Sequence, residues 1–173
     1  MNMKFRLLTP VFCLLMLLGV SASPRLLAAD LSIYKAGEIQ AEAIAFTESD
    51  NLNDYDSGGG IGLTYWHFAQ AGLGFEGKTL DARHALLDTI GLNLAGRFPV
   101  EKLNAALVTR IGFDWHAEQV NNTRANDFDV YVGLGAEKRF KGYTIGAELR
   151  GVRAAELAPD EKLQLLVRVG RAF

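Results

Sequence analysis

The sequence predicts an all-β chain: an eight-stranded antiparallel up-and-down barrel that crosses a membrane and fills its lumen with side chains. Three observations predict it. Apolar and polar residues alternate with period two along most of the chain, as in strands with two unlike faces. Short connections between these runs alternate with longer polar ones. Finally, the charges on the polar faces come in equal numbers of each sign.

The first thirty residues stand apart. Lys4 and Arg6 precede Val11 to Val20, an uncharged apolar run followed by Ser21, Ala22, Ser23, Ala28 and Ala29, the pattern of an export signal. About ten strongly apolar residues fall short of the roughly 20 of a spanning helix. Cleavage is expected after Ala29, with Ala22 as the rival site, so residues 1–29 are a leader and 30–173 the barrel domain. Cys13 follows Pro10-Val11-Phe12, which lacks the small residues of lipoprotein processing, so it reads as a passenger. Cleavage removes 29 of 173 residues together with Lys4, Arg6 and Arg25, leaving 144 residues in which 15 bases face 20 acids, a net charge of −5. No cysteine remains, which excludes a disulfide scaffold or a cysteine zinc site. The charge balance excludes a basic nucleic-acid binder, and an apolar content of 49% excludes disorder.

Strands are expected near 36–46, 58–68, 71–80, 86–98, 103–116, 127–140, 142–153 and 162–173. The first three alternate faintly, with Ile61, Leu63 and Tyr65 set against Gly60, Gly62 and Thr64. In the fourth, Ile90, Leu92 and Leu94 oppose Gly91, Asn93 and Arg97. The fifth is the clearest: Leu103, Ala105, Leu107, Thr109, Ile111, Phe113 and Trp115 oppose Asn104, Ala106, Val108, Arg110, Gly112, Asp114 and His116. Phe128, Val130, Val132 and Leu134 carry the sixth, Tyr143, Ile145, Ala147 and Leu149 the seventh, and Leu163, Leu165, Val167 and Val169 the eighth. Gln70-Ala71, Pro99 to Lys102 and Lys141-Gly142 are the short links. Thr47 to Ser57, Ala117 to Asn126 and Ala154 to Glu161 are the long ones, with Asp81 to Ala85 intermediate. An even strand count puts both termini on the short-turn, periplasmic side.

Alternation alone would also fit a soluble sandwich, so polarity decides. The strands match the 9–11 residues of a tilted crossing. The polar face is rich in glycine (positions 60, 62, 74, 91, 112, 133, 135, 146 and 170), which suits a crowded interior. Aromatic residues gather at strand ends, Phe98, Phe140, Tyr143 and Phe173 at one and Phe46, Phe113, Trp115 and Phe128 at the other. By parity, Glu38, Glu42, Glu76, Asp114, Asp129, Glu137 and Glu148 face inward against Lys78, Arg97, Arg110, Arg139, Arg150, Lys162 and Arg168. Buried charges must be paired, and eight strands leave an interior that side chains can fill, so a plugged lumen is expected.

With these features the mature chain, residues 36–173, resembles the eight-stranded bacterial outer-membrane barrels of the OmpA/OmpX type. Its end is similar to the terminal strand that such proteins present to the barrel assembly machinery: Leu165, Val167, Val169 and Phe173 keep the apolar alternation, while Arg171 departs from the usual apolar residue. The resemblance implies residence in a Gram-negative outer membrane, contact with its lipids and lipopolysaccharide, and a porin-like body. It implies no single activity.

Candidate chemistry is thin. Gly72 to Gly77 matches a dinucleotide fingerprint literally, but lies inside an alternating run with no helix to follow, so no cofactor is expected. Asp114 and His116 form an inward i, i+2 pair that Ser57 or Asp56 of the first loop, or His84 of the second, could complete for base catalysis on a lipid or peptide. No His-x-Ser accompanies them, and a rim hydrogen bond is the plainer reading. His67 reads as an interfacial residue beside Trp66. Three scattered histidines give no metal spacing. Glu48, Asp50, Asp54 and Asp56 lack the register of a calcium loop and read as a solvated loop. Asn121-Asn122-Thr123 is a sequon without meaning in a bacterial protein. The expectation is therefore a monomeric, non-enzymatic structural or surface-interaction protein acting through its external loops. An enzyme using Asp114 and His116, or a narrow passive channel, is the alternative.

Overall fold

Each of the eight alternating stretches is a strand in the computed structural model, which describes residues 33–49, 55–79, 89–120, 123–154 and 161–173; for 101, 116–120, 123–127 and 154 it describes the backbone only. The strands are β1 (Glu38–Ser49), β2 (Asp56–Phe68), β3 (Ala71–Thr79), β4 (Thr89–Val100), β5 (Ala105–Val120), β6 (Thr123–Phe140), β7 (Tyr143–Ala154) and β8 (Glu161–Ala172). All neighbours are antiparallel, and β1 closes onto β8 to complete an up-and-down barrel. Closure leaves no edge whose backbone groups would need water. The expected leader, with Cys13, and His84 lie outside the described residues.

The turn end is built by local chemistry. Lys141 and Gly142 both have positive φ (50° and 88°), the two-residue turn whose twist matches the flanking strands β6 and β7. The amide of Ile39 donates to the oxygen of Phe173 at 3.2 Å, and the amide of Phe173 donates back at 2.9 Å, tying the first strand to the last.

Four connections differ from the sequence reading, one of them Thr47 to Ser57, which is shorter because β1 runs to Ser49 and β2 begins at Asp56. Ala117 to Asn126 is no loop: β5 and β6 stay paired through Ala117↔Asn126 to Val120↔Thr123. The alternation fades there because the hairpin has left the apolar layer, while the backbone ladder needs no apolar face to continue. β4 runs through Pro99 to Val100, a 3-10 turn at Glu101–Leu103 follows, and β5 begins at Ala105 rather than Leu103. The connection after β3 separates Thr79 from Thr89, wider than Asp81 to Ala85.

The wall is inverted relative to a soluble protein. Leu73 and Leu94 are 62% and 63% exposed, whereas Arg97 and Arg150 are wholly buried. The apolar belt continues around β5 to β8 through Leu107, Val130, Leu149 and Val167. A continuous exposed apolar surface of this kind belongs against hydrocarbon. Phe113 and Phe128 stack at 5.2 Å near the loop end, and Trp115 is half exposed beside them. Phe46 and Trp66 are exceptions: both are buried, each in the inward row of its strand, so Phe46 does not join the outer aromatics.

Glycines leave room for the charges. A Cβ on Gly133 would collide with the Glu148 carboxylate, one on Gly91 with Asp114, and one on Gly74 with the Asn93 amide.

Candidate functional site

The inward-facing side chains form three levels, each drawn from strands distant in sequence. At the turn end, Glu38 of β1 accepts two hydrogen bonds from Arg139 of β6, at 2.7 and 2.5 Å, and one from Arg97 of β4 at 3.2 Å. Glu137 lies 3.6 Å from Arg97. Main-chain oxygens also accept from the guanidiniums, Ala69 from Arg97 Nε at 3.0 Å and Ile33 from Arg139 Nη1 at 2.6 Å. Aromatic faces cover them: Arg97 sits 3.9 Å from the Trp66 centroid and 4.2 Å from that of Tyr34, and Arg139 sits 4.4 Å from Tyr34. Tyr34, just ahead of β1, is held between the two cations. Burial, reinforced by the Glu137 charge, pushes its hydroxyl up to about 12.

The middle level is built chiefly of ionic groups of opposite sign, with the Tyr131 ring 4.1 Å from Arg150 and the Asn93 amide donating to Glu76 at 3.2 Å. Arg150 of β7 donates to both oxygens of Glu76 of β3 at 2.8 Å and, through Nε, to Glu148 at 2.6 Å. Arg168 of β8 reaches three carboxylates: Glu76 at 2.7 Å, Glu148 at 3.0 Å and Glu42 at 3.1 Å. Arg110 of β5 donates to Glu148 at 2.7 Å and lies 3.7 Å from Glu42. Three carboxylates thus face three guanidiniums, and the level is neutral by itself. Bidentate, charge-assisted contacts of this kind offset the cost of burying the ions. Gln40 joins the two levels, accepting from Trp66 Nε1 at 3.1 Å and donating to Glu42 at 2.9 Å and Glu137 at 3.2 Å.

Toward the loop end, Lys78 of β3 pairs with Asp114 of β5, and its ammonium lies 5.9 Å from the Phe46 centroid and 5.7 Å from that of Tyr131. Glu48 accepts from Lys162 at 3.0 Å and from Gln164. The lumen is filled across its width. A gap bounded by Glu42, Arg110, Glu148 and Arg168 holds about 10 Å³, room for one water.

The structure thus brings Glu42, Arg97, Arg110, Glu137, Arg139, Glu148, Arg150 and Arg168 together in one buried network. Sequence reasoning placed these by parity but missed Gln40, Glu48, Tyr34 and Trp66. Parity held the signal for three of them: Gln40 lies in the inward row between Glu38 and Glu42, Glu48 extends that row beyond Phe46, and Trp66 extends that of Gly62 and Thr64. Glu48 is therefore a buried strand residue, not part of a solvated acidic loop.

Among the described residues, Asp114, Asp56 and Ser57 are not brought together. Asp114 is engaged by Lys78, Ser57 is exposed on the outward face of β2, and Asp56 is exposed at the rim. β2 and β5 are separated by β3 and β4 around the wall. The side chain of His116 lies outside the described residues. His67 faces outward with its ring 4.4 Å from that of Phe68. Gly72 to Gly77 lies wholly within β3, without the strand-to-helix turn that pyrophosphate binding needs.

No protein-family model and no curated protein matches the chain. Among solved structures it is similar to the N-terminal β-barrel domain of Pseudomonas aeruginosa OprF, at 12% identity over 80% of this chain and 98% of that one, with a TM-score of 0.62. It is also similar to the outer membrane protein OprG of the same organism, at 12% identity over 81% of this chain and 97% of that one, with a TM-score of 0.55. Neisserial surface protein A aligns at 13% identity over 78% of this chain and 94% of that one, with a TM-score of 0.50. The shared property is the fold, an eight-stranded barrel of the outer-membrane type.

Proposed function

We propose that this chain resides in a Gram-negative outer membrane as a monomeric anchor, reaches it through the cleaved leader at residues 1–29, and acts structurally or through surface contacts made by its loop end. The observation that carries this reading is the occupied lumen. Ion-paired side chains close the barrel from Glu38 to Asp114, which favours an anchoring body over a passive channel or a substrate pocket. What is left to meet a partner is the loop end, where the β5–β6 hairpin continues four residues beyond His116, the last β5 residue paired to β4. At 3.4 Å per residue it rises about 14 Å further. Leu165, Val167 and Val169 on β8 and Phe173 just after it are all exposed on the outer side, the arrangement we assign to recognition by the assembly machinery.

Because the mature chain has no cysteine, introduced thiols report topology directly. Asn121→Cys is expected to react with a membrane-impermeant maleimide on intact cells, and Lys141→Cys only after permeabilisation. The opposite pattern, or a wild-type band in the membrane fraction that migrates identically before and after boiling, would overturn the proposal. Replacing 117–126 by an Asn-Gly turn should leave the heat-dependent mobility intact while removing the contacts that the hairpin makes.

A further inference from the structure

We infer that the turn end of β6, β7 and β8 binds the phosphodiester headgroup of an anionic phospholipid through Lys138, Lys141 and Arg171, set among Phe140, Tyr143 and Phe173. The inference rests on the membrane residence proposed above and adds a lipid class to it.

The outward row of β6 is apolar from Phe128 to Ala136, and that of β8 from Leu163 to Val169. Both rows then break, with exposed Lys138 and Arg171 in slots that would otherwise face hydrocarbon. A cation in a lipid-facing row costs least at headgroup level, so the break marks where the apolar layer ends. Register places the two together. Lys138 pairs with Ile145 of β7 and Ile145 with Val169 of β8, one outward slot from Arg171, which pairs with Tyr143. Two strand spacings and one two-residue step put their backbones about 12 Å apart. Two long flexible side chains span that distance around one headgroup, and Lys141 in the intervening turn adds a third charge.

These cations differ from those of the lumen, where each arginine has a carboxylate. The outward residues at this end of β6, β7 and β8 include no acid: they are Lys138, Phe140, Tyr143, Ile145, Val169 and Arg171. The Phe173 main-chain oxygen is occupied by the Ile39 amide. Instead, rings lie against the cations. Arg171 sits 5.4 Å from the Tyr143 centroid and 5.1 Å from that of Phe173, and Lys138 sits 5.3 Å from Phe140. A guanidinium held against rings keeps its in-plane N–H groups for an acceptor, and phosphate is the anion present at this depth.

The test uses the mature chain refolded into vesicles of phosphatidylcholine alone, or with one-fifth phosphatidylglycerol, and native mass spectrometry of the lipids it retains. Wild type is expected to retain phosphatidylglycerol preferentially. Lys138→Gln and Arg171→Gln should each lower that preference about fivefold, and adding Lys141→Gln should lower it further. Arg153→Gln, at the far end of β7, should leave it unchanged. Equal retention of the two lipids by wild type, or a preference that survives the triple substitution, would overturn the inference and leave the membrane reading standing. Failure to enter vesicles of either composition would overturn both.

Discussion

The turn-end and middle levels of the lumen lie side by side and neutralise arginine in different ways. In the middle, Glu42, Glu76 and Glu148 meet Arg110, Arg150 and Arg168, and every charge is answered by an opposite charge. At the turn end, Arg97 and Arg139 share Glu38, Glu137 stands 3.6 Å from Arg97, and rings and main-chain oxygens supply further contacts. A level closed chiefly by charge depends on each ion being present. A level closed partly by aromatic faces spreads the same task over neutral groups, which lose less when one is altered.

The largest effect should therefore come from the middle. Glu76→Gln keeps the shape but leaves three guanidiniums with two carboxylates, and is expected to cost about 3–5 kcal/mol in reversible urea unfolding from vesicles. Adding Arg150→Met should recover part of the loss, since it restores the balance of sign. A cost below about 1 kcal/mol would break the distinction between the levels. At the turn end, Trp66→Phe retains a ring over Arg97 and gives up only the indole donor to Gln40, an expected loss of about 1 kcal/mol in the same assay. The smallest effect belongs to Tyr34→Phe. Among the described residues the hydroxyl has no hydrogen-bond partner, so at neutral pH the change should lie within about 0.5 kcal/mol. Alkaline pH sharpens this. The folded-state value of about 12 stands above the ordinary 10, so the unfolded chain releases its proton first as pH rises. Wild type should lose this contribution between pH 10 and 12, and Tyr34→Phe should lack that part of the decline.

The two sides of the wall were legible in the sequence for one reason: the two-residue period sorts each strand into a lipid row and a lumen row, as Leu107, Ile111 and Phe113 against Arg110 and Asp114 illustrate. What the period cannot encode is partnership. Glu42 and Arg168 are 126 residues apart, and only closure of the ring makes them neighbours. Nor does alternation mark where a strand ends once the sequence stops alternating, as it does from Ala117 to Asn126, which the sequence reading takes as a loop. The buried aromatic residues were hidden for another reason: Trp66 and Phe46 look like interfacial residues by type, and only their row places them inside.

The spread of the middle level along the chain bears on biogenesis. Glu42 and Glu76 emerge from the ribosome early, Arg150 and Arg168 near the end, and β1 receives its last neighbour only when β8 is made. A polypeptide stopped before β7 would hold Glu76 without either of its guanidiniums, left with the Asn93 amide, beside an open seam. The balance of charge at mid-depth is therefore reached only when the last two strands join the wall.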